Sequence, residues 1–157
     1  MKHLYQQKIV LCIGPQQILA GVWRGVKFQK QLSFTKDTIG QQAFIDFVQQ
    51  HPQAHYYVVL NLTEEDYQRQ LLPHCTGRSR KMLLARKLAQ AYQGIHYKTT
   101  HHGGREQTTP HRDIHVFAAL REEQALQPWL QIIISSNCKV AGIYLLSMLT
   151  AMMLRTD

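Results

Sequence analysis

Nine histidines are the side chains that first suggest metal or acid–base chemistry in this sequence of 157 residues. His96, His101 and His102 crowd one segment, and His111 and His115 stand four residues apart in the next. A zinc site needs three or four such donors within about 2 Å of one ion. On one continuous strand His96 and His101 would point to opposite faces, and His96 and His102 would share a face about 20 Å apart. No Cys-x-x-Cys accompanies them, and His74-Cys75 follows a proline in an expected loop. The sequence therefore predicts solvated loop histidines, no metal site and no cofactor. Neither a Gly-x-Gly-x-x-Gly nor a P-loop occurs, and Gly103-Gly104-Arg105 reads as a flexible turn. No Ser/His/Asp or Cys/His arrangement can be named from the order of residues, so the chain is not expected to be an enzyme.

Charge is the stronger signal. The formal net charge is +8, and no Asp or Glu occurs between Asp66 and Glu106. That window holds Arg69, Arg78, Arg80, Lys81, Arg86, Lys87, Lys98 and Arg105, which accounts for the whole imbalance. Such a patch attracts anionic partners, whether acidic protein faces, nucleic acid or anionic lipid. The candidate anion-facing surface is Arg78, Arg80, Lys81, Arg86 and Lys87. A solvated face that merely keeps the protein soluble is the competing reading. Base stacking is poorly served, because the window's aromatic residues are only Tyr67, Tyr92 and Tyr97. Tyr92 falls on an apolar helix face and Tyr97 shares a strand face with Ile95, so packing is the expected role of both.

These side chains must be positioned by an α/β core. Lys8–Ile13, Gln17–Trp23 and Val26–Phe34 read as three strands joined by short turns, an antiparallel meander. Val26, Phe28, Leu32 and Phe34 fall on one face by period two. Thr38 and Gln41 have capping-box spacing, and Phe44, Phe47 and Val48 continue a helix that ends before Pro52. His55–Leu62 reads as a central strand.

A basic amphipathic helix is expected over about Ser79–Gln93. Leu84, Leu88, Tyr92, Ala85, Ala89 and Met82 lie on its inner half, and Arg80, Arg86, Lys87, Gln90 and Gln93 on its outer half. Ile95–Thr100 and Ile114–Leu120 read as strands, with a mobile loop at 101–111 between them. A helix over about Arg121–Ser136 carries Leu126, Trp129, Leu130, Ile133 and Ile134, with Pro128 starting a turn or kinking it. Lys139–Leu145 closes as a buried strand, and Ser147 could begin a further helix. The charge-free run Val140–Leu154 is shorter than the roughly 20 residues a bilayer span needs.

Composition fits one globular domain, with 45% hydrophobic and 18% charged residues. Cys12, Cys75 and Cys138 are far apart and odd in number, as expected of free thiols in a reducing cytoplasm. Met1-Lys2-His3 leads into a strand with no signal-peptide cleavage site. The ending Arg155-Thr156-Asp157 reads as a cut in a longer protein.

A meander, a helix and a further strand open the ribonuclease H-like fold. Leu72-Pro73, the helix Arg80–Tyr92, the strands Ile95–Thr100 and Ile114–Leu120, a helix ending near Asn137 and the strand Val140-Ala141-Gly142-Ile143-Tyr144 then follow in order. This order resembles the first lobe of the actin-like proteins of type IV pilus assembly and type II secretion. The stretch Gly77-Arg78-Ser79-Arg80-Lys81 through Leu83–Gln90 also resembles uncharacterised proteobacterial proteins of that kind.

The resemblance implies a ribonuclease H-like (actin-like ATPase) lobe. Its mixed sheet opens with the three-stranded antiparallel meander and is interrupted by an inserted helix-strand-strand-helix subdomain. Residues 1–66 would form the core, 67–138 the inserted basic subdomain, and 139–157 the return to the core.

The family's chemistry does not carry over. A nuclease of this fold needs carboxylates on the first strand and near the fourth to hold two metal ions. Here Ile9–Ile13 has none, so Glu64, Glu65 and Asp66 after the fourth strand meet no first-strand carboxylate with which to share metal ions. Actin-like ATPases place an acid and a Gly/Ser/Thr-rich turn where this chain reads Cys12-Ile13-Gly14-Pro15-Gln16-Gln17, and Pro15 removes a backbone donor. The expectation is a non-catalytic adaptor domain that binds protein partners of a pilus or secretion assembly, in the cytoplasm at the inner face of the inner membrane. The alternatives are an ATP-binding lobe, or nucleic-acid binding through segment 67–105.

Overall fold

The computed structural model describes residues 7–108 and 111–153, apart from the side chain of Met152. The readings at Met1–His3 and Arg155–Asp157 lie outside the described residues. The chain divides into two compact units, one built from residues 1–63 and 124–157 and the other from 64–123.

The first unit is a five-stranded mixed sheet with helices. β1 (Gln7–Ile13), β2 (Gln17–Arg24) and β3 (Lys27–Thr35) form the expected antiparallel meander. After α1 (Thr38–Gln49), β4 (His55–Leu60) pairs parallel to β1. The last strand, labelled β8 in chain order (Lys139–Leu145), pairs parallel to β4 and completes the order β3-β2-β1-β4-β8. Central position explains composition here. Ile9, Leu11 and Ile13 on β1 and Tyr56, Val58 and Leu60 on β4 are all buried by strict alternation. A helix over Gln127–Ser135 supplies Trp129, which meets Phe44 of α1 edge to face at 5.3 Å. Phe34 of β3 packs on Phe44 in the same way at 5.2 Å.

Several local readings are corrected. The N-cap of α1 is Asp37, not Thr38: its carboxylate accepts the Gly40 N–H at 2.7 Å and the Thr35 hydroxyl at 2.8 Å. Only the far end of β3 is covered. Phe34 is buried, whereas Val26 lies in the turn before β3 and is 96% exposed. Phe28 is 53% exposed because a register shift between Val22 and Trp23 pairs it with Trp23 on the other face. Pro128 sits in the first helical turn, where its missing N–H costs nothing, so the Gln127–Ser135 helix starts there rather than at Arg121. Ile134, placed on its apolar stripe, is 57% exposed. Strand β8 is an edge strand and is only half-buried. The run 140–154 divides between β8 and a helix over Leu146–Met153. No helix of the described residues is long and apolar enough to cross a membrane.

The second unit is a three-stranded antiparallel sheet in the order β5-β7-β6 with one helix. β5 (Glu65–Pro73) was not anticipated. It is followed by α2 (Gly77–Ala91), β6 (Lys98–Arg105) and β7 (Arg112–Leu120). The insert is therefore strand-helix-strand-strand. The helix at Gln127–Ser135, expected at its end, belongs to the first unit, so the helices in chain order are α1, α2, α3 (Gln127–Ser135) and α4 (Leu146–Met153). A small core of Leu72, Tyr92, Phe117 and Ala119 is packed by Leu83, Leu84, Leu88, Ala91 and Ile95.

Candidate functional site

The turn between β1 and β2 occupies the nucleotide corner that the resemblance implies. Gly14 N–H donates to the Gln17 carbonyl at 3.1 Å, closing the turn on itself. Pro15 has no N–H to offer, and Pro15, Gln16 and Gln17 are exposed. Strand β1 carries no acid. Cys12 is a free, half-buried thiol, and that burial raises its pKa. In the second unit Asp66 accepts from the Arg121 guanidinium, with Arg121 Nε at 2.9 Å.

The basic window forms the outer surface of α2. Arg78, Lys81 and Arg86 are exposed, and Arg80 and Lys87 are half-exposed. None of the five has a carboxylate within 4 Å among the described residues. Met82, Ala85 and Ala89, assigned to the inner half, are exposed, because the packed stripe is Leu83, Leu84, Leu88 and Ala91. Tyr92 is buried and donates to the Asp66 and Phe117 carbonyls at 3.2 and 3.4 Å, which leaves no face for a base.

The histidines are rearranged most. His101 and His102 lie on β6, which continues through Gly103-Gly104 to Arg105, and are not in a solvated loop. His102 pairs with His115 and Gly104 with Ile114, so Gly103 is an extra residue on β6. Gly104 has φ +105°, a conformation open to glycine, and a Cβ on Gly103 would press on Ile114. Asp113 and His115, two apart on β7, share its inner face and are each 2% exposed. The bulge sets Arg105 opposite Asp113.

Asp113 is the centre of this group. His74 Nδ1–H donates to Asp113 Oδ2 at 2.9 Å, while the Arg105 guanidinium donates to His74 Nε2 at 3.1 Å, an arrangement that fixes the His74 proton on Nδ1. Asp113 Oδ1 lies 3.8 Å from His102 Nε2 and 3.9 Å from Arg105 Nε, without a hydrogen bond. The His74 hydrogen bond is the main cause holding the Asp113 carboxyl below the usual carboxylate range. Burial is the main cause lowering the His115 pKa, helped by the charges of His102 and Arg80 and opposed by Asp113. His115 Nδ1, like Asp113 Oδ1, is buried with no hydrogen-bond partner. The sequence placed His102 and His115 thirteen residues apart and gave no strand register to join them.

Comparison with solved structures defines the fold. Over 88% of its length the chain superposes on the cytoplasmic domain of EpsL, an inner membrane component of the type II secretion system of Vibrio cholerae, with TM-score 0.56 and 14% identity. Over 90% it superposes on a chain of a PilM–PilN type IV pilus biogenesis complex, with TM-score 0.57 and 12% identity. A Bacteroides thetaiotaomicron protein with an actin-like ATPase fold gives TM-score 0.49 at 8% identity. The chain spans 57% and 47% of the first two, about half their length. No family model and no curated protein matches the sequence. The mixed sheet opened by an antiparallel meander, with a second small sheet, is the arrangement this chain shares with the secretion and pilus components, and the likeness is one of fold.

Proposed function

We propose that this chain is a non-catalytic adaptor domain that docks protein partners of an envelope-spanning pilus or secretion assembly from the cytoplasmic side of the inner membrane. One observation carries the reading: nearly the whole chain takes up a fold shared with two components of such assemblies, one of them solved in complex with PilN. The β1–β2 turn supports the non-catalytic part. Its Gly14 N–H is satisfied internally, Pro15 offers none, and no carboxylate stands on β1 to hold magnesium. The docking surface in this reading is the outer face of α2, where Arg78, Lys81 and Arg86 favour an acidic protein segment.

Co-purification from the source cell tests the reading. Recovery of a pilus or secretion component supports it, and recovery of none counts against it. Calorimetry with Mg-ATP is the companion measurement. Heat absorbed or released with a micromolar Kd, or nucleotide density at Gly14–Gln17 in a soaked crystal, would overturn the adaptor reading in favour of an ATP-binding lobe.

A further inference from the structure

We propose that His102, Asp113 and His115 form a binding site for one divalent transition-metal ion of the zinc class. Each of the three offers one donor atom, and these atoms lie within 4.8 Å of one another. Two nitrogens and one carboxylate oxygen are a donor set that zinc takes readily, and that calcium and magnesium, with their preference for all-oxygen shells, do not.

The case rests on more than proximity. Asp113 and His115 are almost wholly buried, yet Asp113 Oδ1 and His115 Nδ1 have no hydrogen-bond partner. A buried polar atom left unpaired costs about 1–3 kcal/mol, and native proteins keep few of them. Two in adjacent side chains, beside a third donor, mark a place where a ligand atom belongs. Asp113 is also oriented from behind. His74 donates to its Oδ2 and is itself held by Arg105, which leaves Oδ1 for an ion. Carboxylates that bind metals are commonly fixed by such a hydrogen bond.

Geometry and charge both permit the site. Tetrahedral zinc holds its ligand atoms about 3.4 Å apart, so binding draws the donors together. His102 is the side chain able to move, being 40% exposed on β6. The charged and titratable groups facing the cluster are Arg80, Arg105, His74 and His101. Arg105 has a side chain 60% exposed and can turn outward, leaving Asp113 to offset the ion's charge. Three protein donors leave a fourth position on the exposed His102 side for water or an incoming group.

The test uses the full chain, freed of metal by chelation and titrated with zinc chloride by calorimetry and with cobalt(II) chloride by visible absorption. One ion per chain is expected, with cobalt giving the bands of a low-coordinate nitrogen–oxygen site. His102→Gln, at an exposed side chain, and Asp113→Asn, which keeps the carbonyl facing His74, should each weaken uptake by more than about 100-fold, beyond the 10–100-fold typical of an outer-sphere change. His96→Gln, whose ring meets Glu123 at 3.0 Å in another part of the unit, should change nothing. Uptake that survives either His102→Gln or Asp113→Asn, uptake reduced as much by His96→Gln, or no stoichiometric uptake at all overturns the site.

Discussion

His102 and His115 stand opposite one another across β6 and β7, their ring centroids 5.2 Å apart and their planes inclined by 59°. Directly opposed residues on one sheet face bring their side chains closer than any other pair on neighbouring strands. The pairing beyond it, of Arg105 with Asp113, depends on the extra residue Gly103. If β6 ran without it, the residues beyond His102 would meet β7 one position out of step, and Arg105 would no longer face Asp113. The cluster is thus a product of register, and the two glycines set the part of it that brings Arg105 to Asp113.

Gly104→Ala tests that dependence. At φ +105° an L side chain is strained, and about 1–3 kcal/mol of stability should be lost if the backbone holds. If the backbone relaxes instead, β6 shifts against β7 and the His102 and His115 ring resonances move apart in environment. Two-dimensional NMR of the histidine rings, with denaturant melts of both proteins, distinguishes these. Unchanged stability together with unchanged ring resonances would contradict the bulge.

Trp129→Ala removes the aromatic wedge between α3 and α1. Trp129 is 3% exposed and meets Phe44, which in turn meets Phe34. Emptying a site of this size costs about 3–5 kcal/mol. Urea unfolding followed by far-ultraviolet circular dichroism should show the midpoint fall steeply, since Trp23 is the one tryptophan left to report by fluorescence. A loss below about 1 kcal/mol would mean that this core is not the support of the sheet.

Asp37 makes α1 sensitive to acid. The Gly40 N–H, followed by the Thr35 hydroxyl, holds its carboxyl below its ordinary value of 3.8. A group with a depressed folded pKa contributes stability that is present above 3.8 and lost as pH falls through the lower folded value. Asp37→Asn, which can still cap, should flatten the acid limb of a stability–pH curve while leaving stability at neutral pH nearly unchanged. A variant curve that follows the wild type down to the lowest pH would remove Asp37 as the cause.

Tyr56 acts at the other end of the scale. Its ring is fully buried, its hydroxyl donates to the His51 carbonyl at 3.3 Å, and burial, with a smaller effect of Cys138, pushes its pKa well above 10.0. A raised folded pKa means this stabilisation is complete below 10.0 and lost as pH climbs towards the folded value. Tyr56→Phe should cost about 1 kcal/mol at neutral pH through the lost hydrogen bond. The gap between the two proteins should narrow above about pH 10, as unfolded tyrosine ionises and folded Tyr56 does not. Melts at neutral and alkaline pH decide it, and a gap that stays constant would contradict the assignment.

The first unit was legible because its signals are local. Alternation in Ile9–Ile13 and Tyr56–Leu60, turn residues between strands and the Phe44-Phe47-Val48 spacing all express burial that each segment experiences on its own face. Strand β5 was not legible. Glu65-Asp66-Tyr67-Gln68-Arg69-Gln70 is polar, ends at Pro73 and lies at a sheet edge, where pairing with β7 and not propensity makes the strand. Gly103-Gly104 read as a turn because a bulge and a turn use the same residue for the same conformational freedom. The cluster around Asp113 was hidden for a third reason. It joins residues 74, 102, 105, 113 and 115 through strand register, and no periodicity within one segment encodes a register between two.

The face of α2 gives the prediction that separates kinds of anionic partner. Reversing Arg78, Lys81 and Arg86 together, as R78E/K81E/R86E, changes exposed side chains with no carboxylate within 4 Å among the described residues, so stability should move little. Capture of the assembly partner should fall by at least about tenfold, mainly through slower association, because exposed interfacial charges act chiefly on the on-rate. If the face instead tracked a nucleic acid backbone, duplex affinity would drop with a log–log salt slope of about −0.9 per phosphate contacted, and the triple variant would reduce that slope by close to three such contacts. The adaptor reading expects weak duplex binding whose small salt slope the variant barely alters. A steep slope removed by the substitutions, with partner capture intact, would assign the face to nucleic acid.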